Sequence, residues 1–213
     1  MSNTEDTENK DIFEYSGDNW DEKYISKELT LTKFKFKLIA DEKCFGLYKF
    51  PLFSQEFCNK LVSKLKQFDN WTVNRHRLYP TNDILLKNYD KRFYDIYDCI
   101  LKNILLPALN DLYNFTLDAN HLVHETFVIR YKPELQGHLD MHHDHSSFTF
   151  CTTFSADNEY EGGGTYFPKH QYFLKAGQGE CVIHPGMLTH EHGVRPITSG
   201  ERYAMVSFCK VLW

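Results

Sequence analysis

The sequence predicts a mainly β domain with flanking helices, an α+β arrangement in which a double-stranded β-helix, a cupin-like jelly roll, is buttressed by two or three α-helices. Three observations carry that prediction. From residue 123 onward, short alternating or β-branched runs are separated by glycine turns, the spacing of a sandwich or barrel. Ahead of them lie two stretches whose apolar residues recur at three- and four-residue steps. On the last β-like run Arg202, Ala204, Val206 and Phe208 share a parity, so an inward apolar face carries the arginine inward with it.

Residues 1–30 are polar and acidic, with few apolar residues beyond Ile12, Phe13, Tyr15, Trp20, Tyr24 and Ile25, and read as a mobile tail or a surface-hugging arm. The catalytic domain is expected over 31–213. In 31–38, Thr32, Phe34, Phe36 and Leu38 alternate with Lys33, Lys35 and Lys37, which predicts a half-exposed strand. A second strand is expected over 46–50, ended by Pro51. Ser54 is a good N-cap for an amphipathic helix through Lys66, with Phe57, Leu61, Val62 and Leu65 on one face. Residues 71–88 read as loop, with turn chemistry at 80–83. A longer helix is predicted over 91–113, kinked or split by Pro107. The β series then runs through Phe127, Ile129 and Tyr131, through 147–154, through the glycines 162–164 into 165–167, through 180–183 and through 202–208.

Composition narrows the function. At 213 residues the chain is most simply one domain with a sizeable core. A net charge of −5 without a basic patch points away from nucleic acid. The six cysteines form no C-x-x-C pair, so neither a disulfide framework nor a zinc knuckle is indicated, and free thiols are expected. The first residues carry no apolar run and no stretch reaches membrane-spanning length, so neither a signal peptide nor a membrane span is expected.

The chemistry gathers in two stretches, 141–145 (Met-His-His-Asp-His) and 188–192 (Leu-Thr-His-Glu-His). On an extended strand His142 and Asp144 aim to one face, while His143 and His145 aim to the other and are expected to be non-ligands. His190 and His192 both offer a further imidazole, and His192 is chosen as the third ligand. Two imidazoles and a carboxylate form the facial triad of non-haem Fe(II) oxygenases, which leaves positions open for a cosubstrate and O2. Arg202 is placed to hold the far carboxylate of a dicarboxylic acid in two-point contact, which suggests 2-oxoglutarate. His184, before Pro185 and Gly186, reads as a packed strand-end histidine.

Longer matches surround these residues. They are 50–58 (Phe-Pro-Leu-Phe-Ser-Gln-Glu-Phe-Cys), Trp71 with Arg75 and His76, 80–84 (Pro-Thr-Asn-Asp-Ile), 130–133 (Arg-Tyr-Lys-Pro), 142–144 with 147–149, 160–164 (Tyr-Glu-Gly-Gly-Gly), 184–186 with 188–190, and 200–203 with 206–208. Through them the chain, from about residue 44 to 210, resembles the C-terminal catalytic domain of procollagen lysyl hydroxylases. That family lies within the prolyl and lysyl hydroxylase branch of 2-oxoglutarate and Fe(II)-dependent dioxygenases. The resemblance implies iron ligation by His142, Asp144 and His192, and an ion pair from Arg202 to 2-oxoglutarate, with Tyr131 as a hydroxyl partner of that cosubstrate. It implies hydroxylation at C5 of peptidyl lysine in collagen-like Gly-X-Lys sequences, with succinate released and ascorbate as reductant. Asp83 is the expected contact for the substrate ammonium, and a homodimer is suggested. Two departures stand out: Cys151 where the family carries an asparagine, and Gly193 where it tends to carry an acidic residue. The expected location is cytoplasmic for a stand-alone version, or the endoplasmic reticulum lumen for an excised domain of a secretory-pathway enzyme. The alternatives are a prolyl or other protein hydroxylase of the same superfamily, and a non-catalytic metal-binding jelly roll.

Overall fold

The structure is a computed structural model and describes residues 11–14, 18–73, 75–76 and 78–212. Its strands in chain order are β1 (Asp41–Cys44), β2 (Leu47–Pro51), β3 (Asp83–Leu85), β4 (Leu122–Tyr131), β5 (Leu139–His142), β6 (Phe148–Thr153), β7 (Tyr160–Gly162), β8 (Thr165–Phe167), β9 (Tyr172–Leu174), β10 (Glu180–Pro185), β11 (His192–Val194), β12 (Ile197–Gly200) and β13 (Arg202–Val211). They form a seven-stranded sheet, β1-β2-β10-β6-β13-β4-β3, a four-stranded sheet, β5-β11-β8-β9, and the ribbon β12-β7, with every pairing antiparallel. This is the expected jelly roll.

Alternation along the large sheet separates two environments. Phe150, Cys181, Tyr203, Met205 and Cys209 face the helices and join the main core. Thr149, Cys151, Ala204, Val206 and Phe208 face the opposite way, toward the small sheet. The buttress consists of α4 (Gln55–Lys66), α6 (Lys91–Ile100) and α7 (Leu106–Tyr113), whose buried faces carry Phe57, Leu61, Phe93, Tyr97 and Leu109. Ser54 caps α4 as expected, its Oγ accepting from the Phe57 N–H at 3.3 Å. A π-helical turn, Leu101–Leu105, joins α6 to α7, and Pro107 follows it as the second residue of α7. The six cysteines are unpaired thiols. No helix among the described residues is long and apolar enough to cross a membrane.

Two local expectations are corrected. Residues 31–38 are not a strand: α2 (Lys27–Leu31) ends there, Lys33 and Phe34 take positive φ, and α3 (Phe36–Ile39) follows. The period of two fails because Phe36 is fully buried against Phe50, while Leu38, of the same parity, is 72% exposed. The stretch 71–88 is also more ordered than loop chemistry suggests. It contains β3 and the short helix α5 (Leu86–Tyr89), with Thr72 and Asp83 bridging backbone to backbone.

The described part of residues 1–30 packs on the same core. Helix α1 (Asp18–Tyr24) contributes Trp20 and Tyr24, which meet Phe57 in aromatic contacts, and the Trp20 indole N–H donates to the Ile12 carbonyl at 2.8 Å. The expected boundary at residue 30 falls inside α2, whose Leu29 is fully buried. Residues 1–10 and 15–17 lie outside the described residues. Replacing Trp20 with alanine is expected to destabilise the domain by about 3–5 kcal/mol, the cost of emptying a buried tryptophan site. Urea unfolding checks this, and an unchanged midpoint would show that the segment adds nothing to the core.

Candidate active site

The inward rows of the two sheets enclose a cavity of about 500 Å³. At one end the small sheet supplies His142 and His192, directly opposite each other in the β5–β11 pair. The pairing slips between His192/His142 and Val194/Leu139, a bulge in β5 that lets both Leu139 and His142 face the cavity. Strand alternation does not place Asp144, because β5 ends at His142. Asp144 sits in the following turn, its carbonyl accepting from the Met187 N–H at 2.9 Å.

His142, Asp144 and His192 present donor atoms that all lie within 4.8 Å of one another, and all three residues are buried. Both imidazoles are oriented from behind. His142 Nδ1 lies 2.7 Å from the Asp140 carbonyl and His192 Nδ1 2.9 Å from the His190 carbonyl, so each donates there and turns its Nε2 lone pair inward. The carboxylate is oriented too, with the Thr149 hydroxyl donating to Asp144 Oδ2 at 2.6 Å. His184, read from sequence as a packing residue, is buried beside them with Nε2 at 3.8 Å from Asp144 Oδ2.

Charge follows from this packing. Burial alone raises the Asp144 carboxyl, but His192, His142, His184 and the Thr149 hydroxyl outweigh it and hold the group well below the usual carboxylate range. Burial opposes charging His142, yet Asp144 at 3.3 Å raises its pKa, whereas burial lowers His192 and drives His184 down to about 3.

The other end holds the arginine. Arg202 is 5% exposed, its Nη2 donates to Thr153 Oγ1 at 3.1 Å, and its guanidinium lies 5.5 Å from the Tyr131 ring centroid. No carboxylate pairs with it among the described residues. Tyr131 is its register partner across β13 and β4, and the Tyr131 hydroxyl makes no hydrogen bond among the described residues. Thr149, Cys151 and Thr153, the inward residues of β6, run from the carboxylate end to the guanidinium end.

The remaining sequence readings divide. His143 and His145 are exposed at the cavity edge and outside the donor cluster. His190 is occupied, with Nε2 at 3.0 Å from the Phe45 carbonyl and Nδ1 at 2.8 Å from Thr189 Oγ1. Asp83 is corrected. It is fully buried and accepts from Arg75 Nε at 2.7 Å, from Thr72 Oγ1 at 3.2 Å and from Thr81 Oγ1, which leaves no open face for an ammonium. Thr149 and Thr153 were missed, although they share the parity of Cys151. Tyr79, whose ring lies 5.0 Å from that of His142, sits in a loop with no period to reveal it.

A profile of the 2OG-Fe(II) oxygenase superfamily matches residues 123–211, the span from β4 to β13 that carries every one of the converging groups. Residues 123–211 are a domain of that superfamily. The oxygenase is 32% identical over 202 residues to the human multifunctional procollagen lysine hydroxylase and glycosyltransferase LH3, and 33% identical over 204 residues to mouse procollagen-lysine,2-oxoglutarate 5-dioxygenase 1. These alignments cover 89% and 90% of this chain, and the chain spans 27% of the length of each relative. The viral collagen prolyl hydroxylase of Paramecium Bursaria Chlorella virus-1, in its 2OG complex, superposes with a TM-score of 0.56 at 16% identity, covering 78% of this chain and 97% of that one. A Pseudomonas putida prolyl-4-hydroxylase gives 0.57 at 13% identity, covering 79% and 94%. These structural likenesses show the shared fold.

Fe(II) and 2-oxoglutarate are the cofactors of this superfamily, and the residues fit both. Two neutral imidazole lone pairs and a fixed carboxylate suit a divalent first-row ion, and a buried guanidinium without a carboxylate partner needs an anion. Ion binding competes with protonation of His142, whose pKa Asp144 raises, so affinity falls by about tenfold per pH unit on the acid side of that pKa. Thr149→Val is expected to weaken the ion by about 10–100-fold by releasing the carboxylate. Calorimetry with Mn(II) across pH checks both, and a pH-independent affinity unaffected by Thr149→Val would contradict the geometry.

Proposed function

We propose that this oxygenase hydroxylates peptidyl lysine in collagen-like Gly-X-Lys sequences, coupled to conversion of 2-oxoglutarate and O2 to succinate and CO2, with ascorbate as reductant. The observation that carries the catalytic part is the buried Arg202, with no carboxylate partner among the described residues, sharing one cavity with the convergent His142, Asp144 and His192. The choice of lysine is supported by sequence relatives that are procollagen lysine hydroxylases.

In this reading His142, Asp144 and His192 hold the iron, and Arg202 with Thr153 and Tyr131 holds the far carboxylate of 2-oxoglutarate. Bound iron supplies O2 activation for insertion of one oxygen atom into an unactivated C–H bond. The chain's own part is positional. The backbone carbonyls of Asp140 and His190 fix the two imidazoles, and Thr149 fixes the carboxylate. Phe127, Val206 and Phe208 make the cavity wall apolar and exclude water from the reacting end.

Mass spectrometry of a panel of lysine- and proline-containing collagen-like peptides, incubated with Fe(II), ascorbate and 2-oxoglutarate, tests the reading. One oxygen gained on lysine is expected; oxygen on proline alone moves the protein to the prolyl branch. Arg202→Ala is expected to raise the KM for 2-oxoglutarate by roughly 30-fold or more, since losing one partner of a buried charge pair costs about 2 kcal/mol or more. Succinate release no higher in the wild type than in Arg202→Ala would mean a binding module instead.

A further inference from the structure

An ammonium two bonds from the oxidised carbon must find its counter-charge close to the metal end of the cavity. Asp144 is the sole carboxylate among the described residues that line the cavity, and it already faces three imidazoles. Asp83 is spent on Arg75, Thr72 and Thr81. The required acid therefore has to stand just beyond the lining, on a residue aimed the same way.

The strand register singles one out. Pairing of β10 with β6, β6 with β13 and β13 with β4 aligns His184, Thr149, Phe208 and Glu125 in one row across the large sheet. The next inward row is Val182, Cys151, Val206 and Phe127. Every member of both rows except Glu125 lines the cavity, and residues two apart on a strand share a face, so Glu125 completes the row at the rim. Thr149, in that row, is the residue that bonds Asp144. Two strand spacings separate it from Glu125, about 10 Å between backbones, which a glutamate and a lysine side chain can bridge.

The local charge agrees. Glu125 is 54% exposed at its side chain, its Oε1 accepts from Arg75 Nη1 at 2.7 Å, and Oε2 has no partner among the described residues. Arg75 also donates to Asp83, so among the described residues two carboxylates share one guanidinium and one unit of negative charge is left over. Burial and the neighbouring Arg75 charge lower the His76 pKa, which keeps that ring from cancelling the excess. The cluster leans on apolar surface, with the Arg75 guanidinium 4.1 Å from the Phe127 ring centroid, where an uncompensated charge acts strongly on an incoming cation.

We propose that Glu125 is the specificity residue that receives the side-chain ammonium of the target lysine, an assignment that rests on the lysyl reading above. The bland alternative, a rim ion pair with Arg75 that merely stiffens the loop, makes a different prediction. The test compares wild type, Glu125→Gln and Glu125→Asp, each first checked for an unchanged melting temperature, on a Gly-X-Lys peptide, with its Nε-acetyl-lysine counterpart as competitive inhibitor. Glu125→Gln is expected to raise the peptide KM by about tenfold, between the few-fold worth of an exposed ion pair and the larger loss at a buried one. It is also expected to erase the preference for the charged over the acetylated peptide, with Glu125→Asp restoring part of both. A wild-type KM and an intact charge preference in Glu125→Gln would overturn the assignment while leaving lysyl hydroxylation standing. Failure of the wild type itself to oxidise lysine would overturn the reading and the assignment together.

Discussion

A single buried carboxylate organises this molecule. Asp144 is 4% exposed, and an ion in that position is tolerable only because three imidazole nitrogens and a threonine hydroxyl surround it. Those groups come from both layers. His184 and Thr149 belong to the large sheet, and His142 and His192 to the small one, so the charge can be satisfied only when the two sheets close on each other. The Thr149 hydroxyl bonds the carboxylate directly, and losing a hydrogen bond to a buried charge costs about 1.5–3 kcal/mol. The site is thus also a structural clasp.

At the opposite end of the same cavity stands a charge of the other sign, with no carboxylate to answer it among the described residues. Between the two runs β6, whose inward residues Thr149, Cys151 and Thr153 act as a ruler. Its middle position is a thiol whose pKa burial raises, so it remains protonated and offers little hydrogen bonding to a bound diacid. In the proposed reading, orientation of 2-oxoglutarate is left to the two ends of the cavity, with Arg202 and Tyr131 at one of them.

Much of this was readable in the residues. Jelly-roll class followed from glycine-punctuated alternating runs, and the inward aim of Arg202 from its parity with Ala204 and Phe208. His142, Asp144 and His192 were found by type and spacing, but the reason given for the first two was wrong: a bulge and a turn, not strand alternation, bring them together. Residues 31–38 misled because a Lys-alternating pattern carries no record of the tertiary contact of Phe36 with Phe50. The arm at 18–31 was underrated for a similar reason. Its few apolar residues, Trp20, Tyr24 and Leu29 among them, are large and nearly all buried, and composition averages that away. Asp83 was misassigned because a loop carboxylate's partners, here Arg75, Thr72 and Thr81, are set by three-dimensional packing. The proposed role of Glu125 has no sequence signal, because only the register across three strands places it level with Thr149.

If the donor cluster and Arg202 are the two ends of one binding site, metal and cosubstrate must be thermodynamically linked. Calorimetric titration of 2-oxoglutarate into the protein with and without Mn(II) measures that linkage directly. Two-ended binding predicts that the metal tightens 2-oxoglutarate by about tenfold or more, and that 2-oxoglutarate tightens the metal by the same factor. Equal 2-oxoglutarate affinity with and without the metal would contradict it.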